Sequence, residues 1–223
     1  MMGKRLATLL LLALVSALPA KAQQDQQQTV NSALATIERM KHESNFQQAF
    51  QPKLDQARAV LIVPALYKGG FIFGGQYGNG VLLARMPDGS WSYPAFYTME
   101  GGSFGLQIGL ESTAVLFIIM DDKGLEAMLN NQFKFGADSG ITFLVVGAGM
   151  GASTTSNLQA DIFAYSLTGI GLYGGLSLEG TILSPRESWN AAYYDQNVAS
   201  RAIVLDNSVS NPKADALRDF LAH

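Results

Sequence analysis

The chain has 223 residues, with 15 Lys and Arg against 18 Asp and Glu, a formal charge of −3 and no cysteine. Lack of cysteine excludes a disulfide framework and lipid attachment to an N-terminal Cys, and the acidic balance speaks against nucleic acid as a partner. With 48% hydrophobic residues and no Pro/Ser-rich linker, the composition suits one sizeable domain with its own core.

Residues 1–22 read as a cleavable secretory signal. Lys4 and Arg5 form a positive start, an uncharged apolar run extends from Leu6 to Leu18, and Ala20-Lys21-Ala22 is an A-x-A site with cleavage before Gln23. As a helix, this uncharged thirteen-residue run would cover only about 20 Å, short of the roughly 30 Å hydrocarbon core that a membrane anchor must cross. The expected location is therefore periplasmic or secreted, in association with the envelope. Removing Lys4, Arg5 and Lys21 leaves 12 cations against 18 acids, a charge of −6 for the mature chain.

Residues 23–28, all polar, are expected to form a disordered leader, and 29–223 a single domain. A helix is predicted from Thr29, with Val30, Ala33, Leu34, Ile37 and Met40 on one face. It breaks near Ser44, where Asn45 and Gln48 are spaced as a capping box for a second short helix ending at Pro52. From Ala59 the pattern is β. Val60 to Val63 is a short buried strand ended by Pro64. Phe71 to Met86 and Trp91 to Met99 flank Pro87-Asp88-Gly89-Ser90, a tight-turn sequence, and should form a hairpin. Phe104 to Leu110 and Thr113 to Met120 follow, the second apolar on both faces and hence central.

Leu125, Met128 and Leu129 mark a short helix. Strands resume at Ile141 to Val146, Asp161 to Leu167 and Gly171 to Leu183. One or two helical turns are expected around Trp189 to Tyr194, then a last helix with Asn211 as N-cap, Pro212 at the first position, and Leu217, Phe220 and Leu221 facing inward. Of the 23 glycines, 22 lie between Gly69 and Gly180, interleaved with aromatic and aliphatic residues. That pattern marks strands that bend, bulge or let another backbone approach. The expected fold class is α+β: a Gly-rich curved antiparallel sheet or barrel-like core, with N- and C-terminal helices packed on it.

Two motifs imitate catalytic ones. Gly147-Ala-Gly149-Met-Gly151-Ala152 follows a strand as a dinucleotide fingerprint does, but Ser153 to Asn157 is a poor opening for the helix the pyrophosphate needs. Gly101-Gly-Ser103-Phe-Gly105 satisfies G-x-S-x-G, yet a nucleophile elbow requires a histidine partner, and His42 and His223 are poorly placed for one. Two histidines and no cysteine also argue against a zinc site, and Asp121-Asp122 is read as a helix cap. No catalytic residue, metal ligand or cofactor site is expected. Convergence of Glu100, Glu111, Asp161 and Glu179 on one cavity would change that reading.

Six ordered blocks carry a resemblance. They are Ala57-Arg-Ala-Val-Leu-Ile-Val-Pro64; Gly69-Gly-Phe-Ile-Phe-Gly-Gly75 with Gly78 and Gly80; Trp91-Ser-Tyr-Pro94; Gly102-Ser-Phe-Gly105 with Gln107 and Gly109; Gly171-Leu-Tyr-Gly-Gly-Leu-Ser-Leu-Glu-Gly180; and Asn190-Ala-Ala-Tyr-Tyr194. In that order they resemble the SYLF domain, over roughly Gln51 to Leu221. Asp195 stands where the family pattern has glycine.

The resemblance implies a non-enzymatic domain that binds phosphoinositide or other anionic lipid, partly through a basic amphipathic N-terminal helix. Some members bind actin, which enters here by family analogy alone. Carried onto this chain, the lipid-binding residues are Arg39 and Lys41 on the first helix, supplemented by Lys53, Arg58 and Lys68. The expected partners are anionic membrane lipid or an apolar ligand, with an envelope protein as the alternative.

Overall fold

A computed structural model describes residues 23–70, 73–104, 109–137, 140–147, 159–167 and 178–223. The signal segment and the fingerprint-like glycines from 148 onward lie outside the described residues. Three helices open the described chain: α1 (23–41), α2 (Ser44–Ala49) and α3 (Gln51–Asp55). Four long strands follow, β1 (Ala59–Gly70), β2 (Phe73–Ala84), β3 (Ala95–Phe104) and β4 (Gly109–Ile119), then α4 (Asp122–Leu129). Short strands β5 (Phe133–Lys134), β6 (Phe143–Gly147), β7 (Ile162–Leu167) and β8 (Ile182–Pro185) complete the sheet. The chain ends in α5 (Glu187–Tyr194), α6 (Ser200–Asp206), a 3-10 turn (Pro212–Ala214) and α7 (Asp215–Ala222).

The eight described strands form one sheet in the order β5-β8-β3-β2-β1-β4-β7-β6, curled into a half-barrel. Period-two alternation sends side chains to two separate cores. Val60, Ile62, Val81, Leu83, Phe96 and Leu116 meet Val30, Ala33, Ile37 and Met40 of α1, together with Phe46, Phe50, Leu217 and Leu221. On the other face, Leu61, Val63, Leu82, Tyr97, Phe117 and Ile119 meet Leu125 and Met128 of α4 and Ile203 and Val204 of α6. Each fully buried aliphatic or aromatic side chain stabilises by about 1.5–3 kcal/mol. The curled α+β sheet, the hairpin around Pro87 to Ser90, α4 and the terminal helices on the sheet are as the sequence predicts. Asp121 caps α4 by accepting from Gly124 N at 2.8 Å, and Asn211 caps the final turn by accepting from Lys213 N at 3.1 Å.

Pro64 does not end its strand. β1 continues to Gly70, and the register on both sides slips by one residue, from Ile62↔Val81 to Ala65↔Asn79 and from Val63↔Val115 to Leu66↔Thr113. Pro64 lies in this bulge, where its missing N–H costs no ladder bond. The neighbouring glycines of β2 are needed here: a Cβ at Gly80 would lie 2.5 Å from Ile62 O, and one at Gly78 would lie 2.7 Å from Ala65 O. The extra residue also reverses side-chain parity, so Leu61, Val63 and Leu66 share one core and Tyr67 turns to the opposite face.

Other corrections have local causes. Residues 23–28 are helical, not a disordered leader, because Gln26 is buried and Gln27 accepts from Tyr193 Oη at 3.0 Å while donating to Lys213 O at 3.1 Å. Asn45 and Gln48 do not form the capping box. Glu43 occupies the N-cap of α2 without a side-chain cap bond, and Pro52 lies in the first turn of α3. The sequence reading missed α6. β6 and β7 pair in parallel, in an otherwise antiparallel sheet. Thr142 and Asp161 clasp the start of that pair: Asp161 Oδ2 accepts from Thr142 N at 2.6 Å and Thr142 Oγ1 at 2.9 Å, and Asp161 N donates to Thr142 Oγ1 at 3.0 Å. Asp195, in the family's glycine position, is the left-handed C-cap of α5 at φ 54°, a conformation that favours glycine.

Replacing Gly80 by Ala is expected to cost about 1–3 kcal/mol because backbone, not a flexible side chain, blocks the new methyl. Thermal unfolding should show a Tm several degrees lower, and an unchanged Tm would contradict the close approach. The Thr142 hydrogen bonds hold the Asp161 carboxyl below its ordinary pKa. Its stabilisation is therefore present above the unfolded value of about 4 and lost as pH falls through the lower folded value. Asp161→Asn should destabilise by about 1–2 kcal/mol at pH 7, with a smaller gap to the native protein at about pH 3. Equal gaps at both pH values in urea titrations would refute this assignment.

Candidate functional site

The bulge and α5 together build a groove. Asn190, fully buried, accepts from Phe96 N at 2.8 Å and donates to Ser200 Oγ at 2.9 Å, fixing α5 against β3. Arg186 N donates to Phe96 O at 2.8 Å, and Trp189 packs edge-on to Phe96 at 5.8 Å between ring centroids. The Arg186 guanidinium then lies over the Trp189 ring, 3.6 Å from its centroid.

Between this stacked pair, the start of α1, the bulged middle of β1 and the facing part of β2 lies an open groove of about 390 Å³. Its floor includes Pro64, Tyr67, Tyr77 and Asn79, and α1 contributes Asp25, Thr29 and Ser32. Tyr67 and Tyr77 face each other across the β1–β2 ladder and are 57% and 46% exposed, unusual for large rings in a core otherwise closed on both faces. Asn79 organises the floor. Its Oδ1 accepts from Arg186 Nη1 at 2.9 Å, Thr98 Oγ1 at 3.1 Å and Tyr77 Oη at 3.2 Å. Burial lowers the Arg186 pKa, while Tyr77 and Asp25 act in the opposite direction.

The residues expected from the sequence lie elsewhere. Arg39 is exposed near the end of α1. Lys41 lies over the Phe220 ring at 4.8 Å and donates to Phe220 O at 3.3 Å, while Lys53 lies over the Phe163 ring at 4.0 Å; partial burial lowers both lysine pKa values. Arg58 pairs with Asp122 at 2.6 Å and donates to Arg85 O at 2.6 Å. Lys68, opposite Glu111 in the ladder, is separated from Arg58 by about 30 Å of strand. Arg39, Lys41 and Lys53 thus belong to the helical layer, whereas Arg58 and Lys68 occupy opposite ends of β1.

The G-x-S-x-G serine, Ser103, lies within β3, so no strand-turn-helix elbow forms. Glu100 and Glu179 are exposed, Asp161 is committed to its clasp, and none of the three lines the groove. The Glu111 side chain lies outside the described residues. Among the described residues, no group of three or more His, Cys, Asp or Glu could hold a metal ion, and no helix is long and apolar enough to cross a membrane. Sequence reasoning missed Arg186, Trp189, Tyr67 and Tyr77. The only local hint was the aromatic content of strands otherwise rich in glycine.

A half-barrel filled on both faces, with helices from both ends of the described chain packed over it, defines a SYLF-type α+β domain. The chain belongs to the Ysc84 family: the family model described as "Las17-binding protein actin regulator" matches residues 100–223. Protein YSC84 of Saccharomyces cerevisiae is 31% identical over 171 residues, covering 75% of this chain and 36% of the relative. LAS seventeen-binding protein 3 of the same species is 30% identical over 167 residues, covering 74% and 36%. The human SH3 domain-containing YSC84-like protein 1 is 27% identical over 162 residues, covering 72% and 47%. The chain therefore spans between a third and a half of the length of these relatives.

Proposed function

We propose that the mature chain is a non-enzymatic lipid-binding domain of the bacterial envelope, meeting the phospholipid surface from outside. The observation that carries this reading is the groove, where a guanidinium stacked on Trp189 stands beside two exposed tyrosines. Arg presents a planar fork of donors suited to phosphate oxygens, and Tyr and Trp are the side chains that settle at the head-group level of a bilayer. Insertion of α1 does not enter the proposal, because its apolar face is spent in the core. Arg39, Lys41 and Lys53 add attraction toward anionic lipid, each near-surface cation contributing about 1 kcal/mol. A second reading, a periplasmic protein-interaction module, draws on the "Las17-binding" description of the family and of its yeast relative. Actin enters only through that family description.

On phosphatidylglycerol vesicles, flotation is expected at low salt and should weaken at moderate salt as screening shortens the reach of the cations. Failure to float under either condition would exclude contact with a purely anionic membrane surface, and protein partners retained after lipid extraction would favour the second reading. N-terminal sequencing of the protein from an envelope fraction should begin at Gln23. An intact Met1 terminus there would remove the export step.

A further inference from the structure

The groove holds one fixed cation and one carboxylate that are not joined. Among the described residues Asp25 and Arg186 form no ion pair, although the field of Asp25 reaches the guanidinium. Arg186 commits N–H donors to Asn79 and Tyr77 and one face to Trp189, which leaves the rest of its five donors for an anion. Tyr67 and Tyr77 supply two exposed rings, directly opposed across the ladder, on the β1–β2 floor of the groove. Aromatic rings beside a carboxylate are the environment that an ammonium group selects.

We propose that the groove takes a phospho-amine head group, with the phosphate on Arg186 and the ammonium between Tyr67, Tyr77 and Asp25. This rests on the lipid reading and specifies it: the ligand is dipolar, not a polyanion. Three observations agree. A single carboxylate facing a single guanidinium repels a multiply charged anion but complements a zwitterion. The formal charge of −6 for the mature chain, from 12 cations and 18 acids, offers no broad positive field to draw in a polyanion. The volume of about 390 Å³ and the hydroxyl-bearing Thr29 and Ser32 wall fit a head group and leave the acyl chains outside.

The test titrates the mature protein with phosphocholine, phosphoethanolamine, choline and inorganic phosphate by calorimetry, alongside flotation on phosphatidylglycerol vesicles with and without phosphatidylethanolamine. The phospho-amines should bind at least about ten-fold tighter than phosphate or choline alone, because both ends are recognised. Arg186→Met should abolish that binding, and Asp25→Asn and Tyr67→Ala, both at exposed positions that leave the fold intact, should each weaken it about five-fold or more. Equal affinity for phosphate and phosphocholine, or unchanged or tighter binding in Asp25→Asn, would overturn the assignment in favour of a plain anion site. Flotation on phosphatidylglycerol with no gain from phosphatidylethanolamine and no phospho-amine binding would overturn it while the lipid reading stands. Binding of free phosphocholine without flotation on either vesicle would uphold the dipolar site, place its ligand in solution, and overturn the lipid reading.

Discussion

The extra residue at Pro64 is the constraint from which the rest of the architecture follows. A twelve-residue strand with strict alternation would send Tyr67 to the face occupied by Leu61 and Val63. The bulge instead places it beside Tyr77 and opposite the first turns of α1. The bend requires close approach by β2, and Gly78 and Gly80 permit it where any Cβ would strike backbone oxygen. Proline and glycine thus act together: one opens the ladder at no hydrogen-bond cost, and the others admit the displaced carbonyls.

Helix α1 has two roles set by one periodicity. Its apolar stripe covers the sheet, and its opposite edge at Asp25, Thr29 and Ser32 walls the groove. A helix so committed is a structural element before it is a membrane element. Lys41 at its end is held by the ring and carbonyl of Phe220, and Lys53 of α3 by the ring of Phe163, so these two charges are fixed in place. In the proposed reading, ligand recognition shifts from an amphipathic helix to a groove braced by buried Asn190 and half-buried Asn79.

Features governed by neighbours in sequence were legible. The Pro87 to Ser90 turn, the spacing of Leu125, Met128 and Leu129, and the Asn211-Pro212 cap depend on local chemistry, and the structure contains all three. Features governed by distant partners were not. The glutamines at 26 and 27 look like a solvated leader until Tyr193 and Lys213 are brought to them. The parallel pairing of β6 and β7 depends on a Thr142–Asp161 clasp that no periodicity announces. The groove is the extreme case. Its residues come from α1, two strands and α5, with 107 positions between Asn79 and Arg186, so the charges were countable in the sequence while their grouping was not.

The ties between α1 and the end of the chain also set an order of events. Gln27 bonds across 186 residues to Lys213 and across 166 to Tyr193, and Lys41 bonds across 179 to Phe220. The helix nearest the start of the described chain therefore finds its partners only after nearly all the polypeptide has been synthesised. Contacts of such long sequence separation slow folding, because loop closure must precede the burial that rewards it. Until the last helix docks, the sheet face that α1 covers has an incomplete lid, and the ribosome can finish its work on a chain that has not yet closed.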